Sequence, residues 1–439
     1  MGYQLSFIER QHDLSELPSA KIRASDRTGV HSWMSFYAAF SENFASYALD
    51  ALGVKEGEVV FDPFLGSGTT LVAARKKGAS FVGGDLDPFA CLLARAKVAV
   101  SADCKVVKKY LSTSRVKSVG EFSKEASDIF DSDCLAYAAS VFSRVRRVVG
   151  GGRSGVLRAL CSDASGKFDS EIVAIVAICI AASRAAKLVR GSNPTWYRKS
   201  VPGEHGQELI SGLRESTPEI AEQMLSDLQF LGVSDRGETR VYEVNVKEIG
   251  DSVEDESVDY VVTSPPYLTR IDYVVNHLPN LVILSGLMSV EVESLRRSMI
   301  GTSKIVSKGV VEARWGGLCA SVLKEIEEHK SYASKRYYYW TYLQYFMSLF
   351  EAVKVLGEKL KVGGKGVIVV QSSSYKDVYV PLSDIVVEMM RGLGLNADIV
   401  KRDIVKVNMK SLQASRGKVE VKPNGNMSSE DVVYFERTQ

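Results

Sequence analysis

The chain has 439 residues, 45% of them hydrophobic and 25% charged, which is ordinary for a soluble globular protein and too long for one average domain. Six cysteines without a CxxC pair argue against both a zinc site and a disulfide framework, and fit a reducing cytosol. The net charge of +2 is unevenly spread: residues 101–200 carry 17 Lys and Arg against 9 Asp and Glu, or +8, leaving −6 elsewhere. A second basic cluster runs through Lys401, Arg402, Lys406, Lys410, Arg416, Lys418 and Lys422. Such asymmetry suits a polyanion-binding face.

The N-terminal stretch lacks a signal-peptide core. Glu58–Phe61 reads as a first strand, followed by a glycine turn and a helix over Thr69–Lys77. Ser80–Gly84 is a second strand and Pro88–Val98 its helix. From about 100 to 237 the pattern is mainly helical. The apolar run Ile172–Ala182 is too short to span a bilayer and predicts a buried helix. Strand signals return at Thr239–Val244 and Val258–Val262, and an irregular stretch follows from Leu268 to about Arg336. A helix over Trp340–Leu360 leads to a strand at Gly366–Val370, with last strands at Ala397–Val400 and Asp431–Phe435. This alternation predicts an α/β fold with a doubly wound, mostly parallel sheet of about seven strands, interrupted twice. The expected divisions are 25–100, a helical insertion over 101–237, and 238–439 with an irregular insertion at about 268–336.

Two turns carry the chemistry. The first, Asp62-Pro63-Phe64-Leu65-Gly66-Ser67-Gly68-Thr69-Thr70, joins a strand to a helix. Gly66 and Gly68 permit close backbone approach, and Thr69 or Thr70 can cap the helix whose amides face a ligand. Leu71 stands where a nicotinamide site wants a third glycine, and the lysine of a triphosphate-binding loop is missing. Asp85 and Asp87 flank Leu86 at the end of the second strand, where an acid commonly holds ribose hydroxyls; Asp87, before Pro88, reads as a helix cap. The second turn, Thr263-Ser264-Pro265-Pro266-Tyr267, ends an apolar strand. Two prolines fix φ and remove two donors, so a rigid turn presents carbonyls and a hydroxyl beside an aromatic ring. That set suits a planar exocyclic amine.

Together these turns resemble the S-adenosylmethionine-dependent DNA methyltransferases that modify exocyclic amines. The resemblance covers roughly 25–100 and 238–436. It implies a class I methyltransferase sheet, S-adenosylmethionine as cofactor, and a cofactor site of Asp62, Pro63, Phe64, Gly66, Ser67, Gly68, Thr69, Asp85, Leu86, Asn245 and Thr263. Ser264, Pro265, Pro266 and Tyr267 are then the catalytic turn, which pulls the amine toward sp3 geometry while a flipped-out base stacks on Tyr267. The segment from His31 through Trp33 to Phe44 is similar to the family's helix over the cofactor. Arg270 and Tyr273 are candidates for the base pocket; His31, Trp196, Arg198, Lys199, Lys335 and Arg336 for substrate or DNA contacts; no metal is expected, since the histidines lack ligand spacing. A serine at position 264 looks more like the cytosine-N4 enzymes, with adenine-N6 as the alternative and a tRNA guanine-N2 methyltransferase a further one. The implied partner is double-stranded DNA, with a possible cognate restriction endonuclease and no membrane, in a bacterial or archaeal cytosol beside the nucleoid.

Overall fold

The computed structural model describes residues 13–36, 39–112, 122–186, 188–190, 197–199, 212–234, 236–268, 272–404 and 429–439. In chain order the first layer is α1 (Glu42–Leu52), β1 (Val59–Asp62), α2 (Thr69–Lys76), β2 (Ser80–Asp85) and α3 (Pro88–Ala96). The insertion adds α4 (Cys104–Leu111), α5 (Ser132–Val149), α6 (Gly152–Ser162), α7 (Asp169–Ala185) and α8 (Leu213–Gln229). The chain returns through β3 (Thr239–Glu243) and β4 (Val258–Thr263), then α9 (Leu278–Leu284), α10 (Val292–Ser298), α11 (Gly317–Glu328) and α12 (Tyr339–Lys359). It closes with β5 (Leu360–Gln371), α13 (Leu382–Gly392), β6 (Asn396–Ile404) and β7 (Ser429–Glu436).

The seven strands pair in the order β6-β7-β5-β4-β1-β2-β3. Strands β5, β4, β1, β2 and β3 run parallel, and β7 lies antiparallel between β5 and β6. This is the doubly wound, mostly parallel sheet expected. Its strands are apolar runs because helices cover both faces: Val60 and Phe61 of β1, and Val261 and Val262 of β4, are wholly buried. The order reverses between β1 and β4, so a crevice opens at their carboxyl ends, where open α/β sheets bind ligands.

The insertion is no separate lobe. All of α7 from Asp169 to Ala182 is buried, and it packs against α3, α4, α8 and α9. The apolar run is therefore a core helix, and no described helix is long and apolar enough to cross a membrane. Arg95 of α3 lies 3.6 Å from Asp169 of α7 with both side chains buried, and Tyr110 of α4 donates to Glu171 at 2.6 Å. From α8, Asp227 accepts a 2.7 Å hydrogen bond from the Trp33 indole, pinning the segment that precedes α1.

Two expectations change. The stretch from Leu268 to Arg336 holds helices rather than irregular chain: α9 and α10 have 7 residues each, and the first is buried between α3 and α7 with Asn280 as its one polar residue, so it shows no helical period to read. The described residues between His31 and Ser41 form no α-helix: a single 3-10 turn spans Gly29–Ser32, and α1 starts only at Glu42, where the Ser41 hydroxyl accepts from the Phe44 amide.

Candidate active site

The larger cavity sits over the carboxyl ends of β1, β2, β3 and β4. The glycine turn forms its floor. Gly66 (φ +49°) and Gly68 (φ +79°) bend the chain back toward α2, and the Gly66 amide donates to Asp85 Oδ2 at 2.8 Å. The other oxygen of Asp85 accepts from the Asp87 amide at 2.9 Å. Burial, and then the neighbouring Asp87, raise the Asp85 carboxyl to about 6. One carboxylate thus fixes two turns, and its remaining lone pairs can accept from hydroxyls of a ligand.

Thr69 and Thr70 do not cap α2; Gly68 occupies that position and no side chain caps the first turn. Thr70 instead donates to the Val262 carbonyl at 3.1 Å, tying α2 to β4. Asp87 does cap α3, accepting from the Phe89 amide at 2.8 Å and the Ala90 amide at 3.3 Å. Its second oxygen meets Nδ1 of the buried His277 at 2.5 Å.

Asp62 is buried, and its Oδ1 accepts from the Thr263 hydroxyl at 2.6 Å and the Phe64 amide at 3.1 Å. Burial, only partly offset by those donors, raises its carboxyl from 3.8 to about 6. A carboxyl raised in the folded state contributes stability that is complete in acid and is lost as pH rises through the folded value. Asp62→Asn abolishes the ionisation while keeping an acceptor oxygen. It is expected to be about 2–3 kcal/mol more stable than wild type at pH 8 and to lose that advantage near pH 4, as read by denaturant unfolding without ligand. An advantage equal at both pH values would mean that ionisation is not its source.

The Ser264–Tyr267 turn is held from four directions. The Ser264 hydroxyl donates to the Val369 carbonyl of β5 at 3.0 Å. Tyr345 of α12 donates to the Pro266 carbonyl at 3.0 Å, and the Tyr267 amide donates to the Tyr273 hydroxyl at 3.2 Å. The Tyr267 hydroxyl donates to Glu430 Oε1 of β7 at 2.6 Å, and burial together with that carboxylate pushes its phenol far above the ordinary range. Only 5% of Tyr267 is exposed, and its ring lies outside the cavity that Ser264, Pro265, Pro266 and Tyr273 line.

The structure brings together Asp62, Pro63, Phe64, Gly66, Ser67, Thr69, Asp85, Leu86, Asn245, Ser264, Pro265, Pro266 and Tyr273 around one cavity. Thr263 and Gly68 support it from behind. The Asn245 side chain is engaged structurally, donating to the Ser298 carbonyl at 2.9 Å and accepting from the Lys247 amide at 3.1 Å. His31 lies in an adjoining smaller cavity, 3.0 Å from Glu42, where burial lowers its basicity. Lys335 and Arg336 are exposed on the turn leading into α12, away from this cavity; Lys335 pairs with Glu327 at 3.5 Å. Trp196 and Arg270 lie outside the described residues, and only the backbone of Arg198 and Lys199 is described, in a short strand Tyr197–Lys199. Of the basic cluster, Arg402 is paired with Asp384 at 2.8 Å, and Lys406 through Lys422 lie outside the described residues. Among those residues no cluster of His, Cys, Asp and Glu could hold a metal.

Sequence reasoning missed Phe36 and His277. Their rings pack 4.3 Å apart, both line the cavity, and Phe36 closes over Gly66. The polar pair Asn276-His277 ahead of an apolar helix was the available signal.

A seven-stranded sheet with one antiparallel strand, a glycine turn after β1, an acid after β2 and a proline-rich turn after β4 define a class I methyltransferase fold. Residues 16–96 match the DNA methylase family of N6 and N4 enzymes. The chain is 33% identical over 129 residues to the type II methyltransferase M.MjaII of Methanocaldococcus jannaschii, covering 29% of this chain and 22% of that protein. It is 32% identical over 66 residues to the type II methyltransferase M.BsoBI of Geobacillus stearothermophilus, covering 15% and 13%. The match thus spans less than a quarter of the length of these curated relatives. Among solved structures, the rRNA methyltransferase aviRa of Streptomyces viridochromogenes aligns over 94% of this chain and 93% of its own, with 11% identity and a TM-score of 0.31. Over these stretches the chain is similar to the DNA amino-methyltransferase family.

S-adenosylmethionine is the methyl donor of that family, and the residues present fit it. The glycine floor leaves room for close backbone approach. Asp85 offers acceptor positions for hydroxyls, and Leu86, Val244, Val246 and Ile300 give the cavity an apolar side suited to a planar base.

Proposed function

We propose that this protein transfers a methyl group to the exocyclic N4 amine of cytosine in duplex DNA, flipping the base out of the stack to do so. One observation carries the reading: Ser264 gives its hydroxyl hydrogen to the Val369 carbonyl, while Ser264 and both prolines line the same cavity as the cofactor turn. With its hydrogen so engaged, Oγ has only lone pairs to offer the cavity and is an acceptor for an amine N–H.

The amine lone pair of an aromatic base is delocalised into the ring and must be freed before it can attack. An N–H accepted by Ser264 Oγ and a second by the Pro265 carbonyl draw the nitrogen out of the ring plane and aim its lone pair across the cavity. S-adenosylmethionine, when bound, supplies an electrophilic methyl group that leaves its sulfonium neutral. No strong base is needed. The Tyr267 phenol keeps its proton, and the amine releases its own to solvent after the bond forms. Phe36 and His277 pack together along one wall of the cavity.

The insertion over 101–237, whose first hundred residues are basic, is the proposed target-recognition region. The similarity to type II methyltransferases supports a cytosolic, nucleoid-associated enzyme that works beside a restriction endonuclease.

The test is incubation with labelled S-adenosylmethionine and either duplex DNA or RNA, then digestion and mass spectrometry of the nucleosides. N4-methylcytosine is the expected product. N6-methyladenine would move the assignment to the other branch of the family on the same geometry, and label confined to RNA would overturn the DNA substrate.

A further inference from the structure

Past the cavity rim at Ser298, Met299 and Ile300, the chain enters a loop over 303–312 that the mechanism above does not use. The loop is laid along the start of α12. Gln344 Oε1 accepts from the Val306 amide at 2.8 Å and the Ser307 amide at 3.0 Å, and its Nε2 donates to the Lys304 carbonyl at 3.1 Å. Tyr337 donates to the Ser303 carbonyl at 2.6 Å. The residue after Gln344 is Tyr345, which holds the Pro266 carbonyl. One helical turn therefore fixes both the loop and the catalytic turn.

Held in this way, the loop points aliphatic side chains at solvent. Val310 is 77% exposed and Val306 47%, with Ile305 and Val311 also exposed beside them. Four exposed β-branched residues within seven give the loop an apolar crest of the kind that marks an interaction site. Cations flank it. Lys308 Nζ lies 5.1 Å from the Trp340 ring, and the Arg336 guanidinium 4.5 Å from that of the exposed Tyr332. Residues 300–340 carry seven Lys and Arg against four Asp and Glu. An apolar crest with cationic shoulders matches a duplex opened at one base: aliphatic side chains wedge between base steps, and cations meet the phosphates on either side.

We propose that the 303–312 loop is a DNA wedge, with Val306 and Val310 entering the stack beside the extruded base and Lys308 on the adjoining phosphate. The proposal rests on the DNA methyl-transfer reading. Its test is initial-rate labelling of plasmid DNA, which requires no knowledge of the recognition sequence. Val310→Asp should raise the KM for plasmid at least tenfold and leave the KM for S-adenosylmethionine within twofold. Because a carboxylate repels any nearby phosphate, the neutral Val306→Ser/Val310→Ser variant decides the matter, and a threefold or greater rise in plasmid KM is expected. Val362→Asp, exposed at the opposite end of the sheet near the start of β5, should behave as wild type.

Serine and aspartate variants with wild-type kinetics on plasmid would overturn the wedge alone. Loss of self-association in those variants with plasmid kinetics unchanged would make the crest a contact between copies, and would also overturn it. Wild-type protein that labels RNA but no duplex DNA would overturn the methyl-transfer reading and the wedge with it.

Discussion

Gly68→Ala is expected to lose S-adenosylmethionine binding and to melt several degrees lower than wild type. Gly68 sits at φ +79°, where an L side chain is strained by about 1–2 kcal/mol. An added Cβ would stand 2.7 Å from Ala94 Cβ and 2.9 Å from Ala94 Cα, and the second contact is with helix backbone. Relief requires α2 and α3 to part, but both are anchored. Thr70 ties α2 to β4, while Asp87 caps α3 and is itself held by His277. Overpacking of this kind adds about 1–3 kcal/mol. The strain falls on the floor of the cavity, so the ligand should suffer more than the fold. Gly66→Ala is the control for stability: at φ +49° its Cβ would come no closer than 3.9 Å to any atom beyond its chain neighbours, so it should lower the melting temperature less. Differential scanning fluorimetry and calorimetric titration with S-adenosylmethionine check this. A Gly68→Ala protein that binds and melts like wild type, or a Gly66→Ala protein that melts lower than Gly68→Ala, would show that the close packing on Ala94 does not shape the floor.

The parts of the site legible in the sequence are those whose chemistry is local. The glycine turn and the Ser264–Tyr267 turn each concentrate their signal in a few consecutive residues, and the strands that carry them are short apolar runs bounded by turn residues. Asp85 could be named for the same reason. The partners that hold these turns come from far along the chain and left no mark in the pattern. Glu430, which takes the Tyr267 hydroxyl, lies 163 residues downstream, and Val369, which takes the Ser264 hydroxyl, lies 105 downstream. Tyr267 shows the consequence. Its place after two prolines suggested a free stacking face, but the hydrogen bond to Glu430 draws the ring away from the cavity that the rest of the turn lines. Asn245 lines the cavity as read, while its amide also donates to the Ser298 carbonyl and accepts from the Lys247 amide, contacts that left no mark in the sequence. Helix α9 was illegible for a different reason: buried between α3 and α7, it has no polar face to set a period.

Ser264→Ala is expected to lower kcat about a hundredfold while leaving the affinity for S-adenosylmethionine unchanged. Removing one preorganised polar partner from a reacting centre typically costs 10²–10³ in kcat. The Ser264 hydroxyl is preorganised in that sense, because its single hydrogen is already given to the Val369 carbonyl. The turn should keep its shape without the hydroxyl. Tyr345 still holds the Pro266 carbonyl, Tyr273 still receives the Tyr267 amide, and Glu430 still receives the Tyr267 hydroxyl. The Val369 carbonyl loses a donor, which costs about 1 kcal/mol of stability and none of the geometry. Single-turnover methylation of plasmid DNA separates the chemical step from binding, and titration with S-adenosylmethionine reports the cofactor site independently. Ser264→Thr keeps the hydroxyl on a stiffer side chain and should recover most of the rate if its hydroxyl again finds Val369. A Ser264→Ala enzyme that turns over at the wild-type rate would leave the Pro265 carbonyl as the sole acceptor of the amine. The cytosine assignment, which leans on Ser264, would then lose its physical basis.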